Sequence, residues 1–154
     1  MLLNIPLTLA KKLIASSGSM IIPSNGYSMY PVIRPKDECH FSQANESDLR
    51  VGDILLFGDR DGLLIGHRLV RVEGTLANRS YICKGDTNLH PDQSVPFDRI
   101  IGKLTSIERK SNGGKNRTIF SASRGMVSWG SVIVRLPFLS AWLRRWVRIS
   151  FDVR

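Results

Sequence analysis

One serine and one histidine in this chain have the surroundings that hydrolytic chemistry needs. Ser28 stands in the run Gly26-Tyr27-Ser28-Met29-Tyr30-Pro31. Pro31 fixes its own φ and holds Tyr30 extended. Gly26 tolerates a positive φ and the close approach of another backbone. A hydroxyl in this setting is presented by a stiff, open turn. It is a poor nucleophile at neutral pH and needs an adjacent base. His67 lies in the predicted strand Gly66–Val72, and imidazole is the side chain suited to that task. It would take the serine proton during attack and return it to the leaving amine. A buried carboxylate on the other ring nitrogen would favour the imidazolium. The oxyanion that forms needs N–H donors, the backbone amide of Ser28 first among them.

Further segments follow in order: Val51–Phe57, Gly66–Val72, Ile82–Asp92 and Ile100–Leu104. With Gly26–Asp37 they resemble the catalytic core of the type I signal peptidases, a serine-protease clan that also holds the self-cleaving repressors. The resemblance runs over residues 20–105 and is closest to the branch found in archaea and the endoplasmic reticulum. There a Ser-Met-x-Pro box carries the nucleophile and a His-Arg-Val-like box the base. A Gly-Asp-x-Asn box is followed by an aspartate. The matching positions are Ser28, His67, Asp86 with Asn88, and Asp92. The resemblance implies that Asp92 holds the histidine. It also implies a substrate bound extended by strand addition, with pockets for small side chains. Asp86 is expected to tie down its loop through backbone N–H groups. Many signal peptidases carry a second serine two residues before the nucleophile. Gly26 occupies that position here, so no side-chain oxyanion donor comes from it.

Other candidates have plainer roles. Lys84 lies outside the box that would make it the base of a Ser–Lys dyad and reads as a solvated sheet lysine. His40 and His90 read as surface or capping residues, and no spacing suggests a metal or cofactor. Cys39 and Cys83 fall in predicted strands and read as buried thiols.

Charge is distributed unevenly. Residues 1–102 carry 11 Lys/Arg and 11 Asp/Glu, whereas residues 103–154 carry 11 against 2, so the whole net charge of +9 lies in the tail. An anionic partner would therefore meet the tail, acidic lipid or an acidic protein before nucleic acid, for which no motif is present. No stretch of about 20 apolar residues predicts a transmembrane helix. Pro6 and Lys11-Lys12 interrupt the N-terminal apolar run, against a signal peptide. A cytoplasmic or peripheral membrane location is expected.

The elements that must bring these residues together are mostly strands. Residues 7–17 have helical spacing and stop at Gly18. Strands are predicted at Ser19–Pro23, Asp37–Phe41, Ile54–Phe57, Leu63–Val72, from Tyr81 and at Ile100–Leu104, with Gly58–Gly62 turning a hairpin. Residues 109–117 read as a basic loop and residues 118–123 as a last strand. Leu136, Leu139, Trp142, Leu143 and Trp146 recur at helical spacing over 136–149. The expected architecture is mostly β, a coiled antiparallel sheet with short terminal helices. It divides into residues 1–18, a catalytic core 19–108 and a basic, amphipathic tail 109–154. The expected activity is that of a serine endopeptidase removing a leader segment from a protein or peptide. The alternatives are a non-catalytic binding module that keeps the fold, or a self-cleaving regulator, against which stands the lack of a DNA-binding segment before the core.

Overall fold

Runs of apolar and β-branched residues punctuated by Gly, Pro, Asn and Asp dictate the secondary structure. A computed structural model of the chain describes residues 2–3, 6–75, 78–111 and 116–151. Its strands are β1 (Leu2–Leu3), β2 (Ser19–Pro23), β3 (Glu38–Gln43), β4 (Ile54–Gly58), β5 (Leu64–Glu73), β6 (Ser80–Lys84), β7 (Val95–Pro96), β8 (Ile100–Arg109) and β9 (Arg117–Phe120). The helices are α1 (Leu7–Ser17), α2 (Arg124–Arg135) and α3 (Phe138–Phe151).

The nine described strands join one antiparallel sheet, seven of them in the order β2-β3-β8-β4-β5-β6-β7 with β1 and β9 paired off this path, in keeping with the mostly β expectation. The two longest strands are its trunk. β8 pairs with β3 along one edge and with β4 and then β9 along the other. β5 pairs with β4 on one edge and with β1 and β6 on the other. The register shifts at His40/Phe41, Leu56/Phe57 and Leu69/Arg71. Such bulges bend a strand and increase its twist, which coils the sheet and gives it two apolar faces.

β4 shows why. Its side chains alternate, Ile54 and Leu56 entering one cluster with Ile22, Phe41 and Leu104, and Leu55 and Phe57 entering a second with Leu69 and Tyr81. A strand covered on both sides reads as an unbroken apolar run. α1 closes the first cluster with Ala10 and Ile14, one helical turn apart. It ends where Gly18, at φ 73°, donates its N–H to the Ile14 carbonyl.

The β4–β5 hairpin forms at the predicted turn, where Asp59 Oδ1 accepts the N–H groups of Asp61 and Leu63. The strand predicted from Ile100 to Leu104 runs on to Arg109. Of the predicted basic loop 109–117, residues 112–115 lie outside the described residues. The sequence spacing does not anticipate α2. Gly125, Gly130 and four β-branched residues lower its helix propensity, and tertiary packing of Met126, Gly130 and Ile133 overrides it. α3 begins and ends two residues later than the predicted 136–149, and it turns Ser140, Leu143 and Val147 inward, not the full stripe of large residues. Among the described residues no single helix is long and apolar enough to cross a membrane, and α2 and α3 meet at a bend of 108°.

Candidate active site

The β2–β3 hairpin carries Ser28 in its connecting loop, because Pro23 pairs with Glu38 and residues 24–37 lie between them. The loop is pinched at its base, where Ser24 donates its N–H to the Asp37 carbonyl and Lys36 donates to the Ser24 carbonyl. Met29 and Ile33 drop from it into the first core cluster, each 2% exposed. Buried Asp37 accepts the Arg34 N–H at 2.8 Å and two N–H groups of the Arg109 guanidinium at 2.9 and 2.6 Å. The left-handed backbone of this loop falls on Lys36, at φ 72°, and Gly26 does not use the positive φ open to it.

His67 lies on β5 opposite Leu55 of β4 and is 6% exposed. It shares the face of the second cluster, with the Phe57 ring edge-on to it at 6.5 Å. Its Nδ1 lies 2.7 Å from Asp92 Oδ2, and its Nε2 lies 3.1 Å from Ser28 Oγ. When Asp92 is ionised and the ring neutral, the carboxylate only accepts, so Nδ1 is the nitrogen that donates to it. Nε2 of the neutral ring is then the acceptor facing the serine hydroxyl. Asp92 is held in turn by its own N–H, which donates to the Cys83 carbonyl at the end of β6 at 2.8 Å.

The segment Gly85-Asp86-Thr87-Asn88 clamps the nucleophile from the other side. Thr87 donates its N–H to the Ser28 carbonyl at 2.9 Å, and its hydroxyl reaches the Tyr27 and Ser28 carbonyls. A Cβ on Gly85 would come 2.9 Å from the Ser28 carbonyl oxygen and 2.8 Å from the Asn88 amide carbon, so that approach requires glycine. Asp86 supports the segment differently from the expectation. Its oxygens take Arg68 Nε and Nη2, each at 2.8 Å, and the Trp129 indole N–H at 2.9 Å, rather than backbone amides. Arg68 also donates to the Gly52 carbonyl. Alternation along β5 thus sends His67 to one face of the sheet and Arg68 to the other.

The tail completes the site. α3 lies across the nucleophile loop, with Phe151 stacked on Tyr27 at 4.8 Å and Trp146 stacked on Tyr30 at 5.2 Å. α2 contributes Trp129, the residue that no local pattern in the sequence singles out. Ser28, Gly26, Asn88, Arg144, Val147 and Arg148 line an open cleft of about 570 Å³. Asp92 borders a separate cleft of about 420 Å³ with Phe57, Ile65 and Val95. The triad therefore stands between two depressions.

The secondary candidates lie elsewhere. Lys84 donates to Ser140 Oγ of α3 at 2.9 Å, and burial pulls its ammonium below the usual lysine range against the opposing charge of Asp86. His40 faces Glu108 at 3.4 Å, and His90 is exposed in the loop before Asp92. Cys39 and Cys83 are both buried free thiols. Among the described residues no group of three or more His, Cys, Asp and Glu is arranged to hold a metal ion.

Ser28, His67 and Asp92 form one hydrogen-bonded line, hydroxyl to imidazole and imidazole to carboxylate, the arrangement that nucleophilic acyl transfer uses. Compared with protein-family models and with curated proteins, the chain matches none.

Proposed function

We propose that this protein is a serine endopeptidase of the signal-peptidase type, cutting a leader segment from a protein or peptide. The supporting observation is the line Ser28 Oγ···Nε2 His67 Nδ1···Oδ2 Asp92, at 3.1 and 2.7 Å. Ser28 Oγ attacks the scissile carbonyl carbon as its proton passes to His67 Nε2. The tetrahedral intermediate collapses, the same proton goes to the leaving amine, and an acyl-enzyme remains. Water then repeats the sequence, regenerating the hydroxyl and releasing the acid.

The test compares wild type with Ser28→Ala and His67→Ala on leader-bearing substrates. Loss of the base costs ~10²–10⁴-fold in rate, so equal cleavage by all three ends the protease reading.

The tail suits a peripheral location. Phe138, Trp142 and Ile149 are 65%, 63% and 74% exposed, and Arg145 is exposed beside them on α3. Indole and aliphatic groups enter a bilayer interface while guanidinium groups meet phosphate. Phe138→Ser with Trp142→Ser should release the protein from anionic vesicles. Undiminished co-sedimentation rejects this location.

A further inference from the structure

Resting on the protease reading, we infer that the enzyme selects substrates bearing an acidic side chain within a few residues of the scissile bond, and that Arg144 and Arg148 are the residues that read it. The cleft that exposes Ser28 is walled on one side by α3, which contributes Arg144, Val147 and Arg148. Asn25, Thr87 and Asn88 line the same cleft. Two guanidinium groups therefore share a cleft with the Ser28 hydroxyl, and no carboxylate is among its lining residues that the structure describes.

Three features make the two arginines readers of charge rather than a solvated helix face. First, they stand four residues apart, so they project from the same side of α3. Like charges at that spacing oppose one another and weaken the helix. An anion between them turns that repulsion into attraction. Second, neither has an ion-pair partner among the described residues, whereas Arg68 and Arg109 are each held by an aspartate. Third, α3 is fixed where it matters. Val147, between them in sequence, is 4% exposed and Leu143 is 4% exposed. The rings of Trp146 and Phe151 stack on Tyr30 and Tyr27, which flank Ser28. The backbone bearing the two arginines is thereby registered against the nucleophile loop.

A planar guanidinium matches a carboxylate with two parallel N–H donors. A peptide lying extended past Ser28 advances ~3.3 Å per residue, which brings side chains within about four residues of the cut into the range of α3. Small side chains near the cut and an acidic one against α3 are compatible demands, because they fall on different positions of the strand.

The experiment uses the full-length protein and a synthetic peptide mixture in which Asp, Glu, Asn, Gln, Lys and Arg are equally represented at each position. Mass spectrometry reads the cleaved windows. Four proteins are compared: wild type, Ser28→Ala, Arg144→Glu with Arg148→Glu, and Arg144→Gln with Arg148→Gln. Circular dichroism checks their folding. We expect Ser28-dependent cuts with Asp or Glu enriched about tenfold over Asn or Gln at one position, the discrimination of a single charge-assisted contact. The Gln pair should lose that enrichment and the Glu pair should shift it to Lys and Arg. Should the Glu pair fail to fold, the Gln pair carries the decision. Ser28-dependent cuts without acidic enrichment, or an enrichment that survives both arginine pairs, overturn the inference and leave the protease intact. Absence of any Ser28-dependent cut overturns both.

Discussion

Arg68 and Asp86 meet in the protein interior as a two-pronged pair, Nε to Oδ1 and Nη2 to Oδ2, both at 2.8 Å, with side chains 2% and 1% exposed. The pair links the strand that carries His67 to the segment that clamps Ser28. Burying two charges is costly, and removing one partner strands the other without water. Asp86→Asn or Arg68→Met alone should therefore cost about 3–5 kcal/mol of stability. The two substitutions combined should cost less than their sum. Urea denaturation of the two single variants and the double variant measures this coupling. An additive cycle would show that the two groups do not depend on each other.

Asp92 and Asp86 belong to one polar stretch but have separate work. Asp92 touches the imidazole, and Asp86, among the described residues, takes its side-chain hydrogen bonds from Arg68 and Trp129. Asp92→Asn should leave the melting temperature close to wild type and lower the turnover by ~10⁴-fold, the effect of presenting the wrong tautomer to the serine. Steady-state kinetics beside a thermal melt separates this variant from Asp86→Asn, which should lose stability first.

Gly85 is a contact point, not a hinge. A methyl there would press on the Ser28 carbonyl oxygen and the Asn88 side chain. Overpacking of this kind costs about 1–3 kcal/mol. The larger effect should be on turnover, because the displaced atom belongs to the nucleophile's own residue. Gly85→Ala is expected to reduce kcat more than it raises KM. An unchanged kcat would show that the clamp does not position Ser28.

The two thiols give the fold an alkaline limit. Burial, with the charge of Asp37 adding to it, pushes Cys39 from 9.0 to about 12, and burial pushes Cys83 up as well. In the unfolded chain Cys39 loses its proton near pH 9 while the native thiol keeps it. The native state then binds more protons, so stability is complete below about pH 9 and falls as pH rises toward 12. The slope from one such group is about 1.4 kcal/mol per pH unit. Denaturation between pH 8.5 and 11 should give a shallower decline for Cys39→Ala than for wild type. Parallel declines would exclude this thiol as a cause.

How much of this was legible in advance depends on distance along the chain. A constrained turn and a strand histidine make Ser28 and His67 candidates, and the resemblance of their boxes to the signal peptidases gives them their roles. The role of Asp92 comes from the resemblance alone, and its carboxylate lies 2.7 Å from the His67 ring. The β4–β5 hairpin was legible because its turn chemistry lies between its strands. The burial of Arg68 was not, since an arginine one step from a histidine on a strand reads as a solvated face. Only the arrival of Asp86 and Trp129 from later in the chain makes it interior. α2 was hidden for a related reason. Gly130 weakens the helix, yet a Cβ there would come within 2.9 Å of Arg68 Nη1. The residue that argues against a helix locally is the one that lets the helix approach the buried pair.

Ser28 is followed at once by a methionine sealed in the interior, 2% exposed, and Ile33 enters the same cluster. The reactive oxygen is therefore one residue away from the packed centre of the molecule. Warming should not loosen this loop ahead of the sheet. Enzymatic competence and the cooperative melting of the β structure should vanish together, at one temperature.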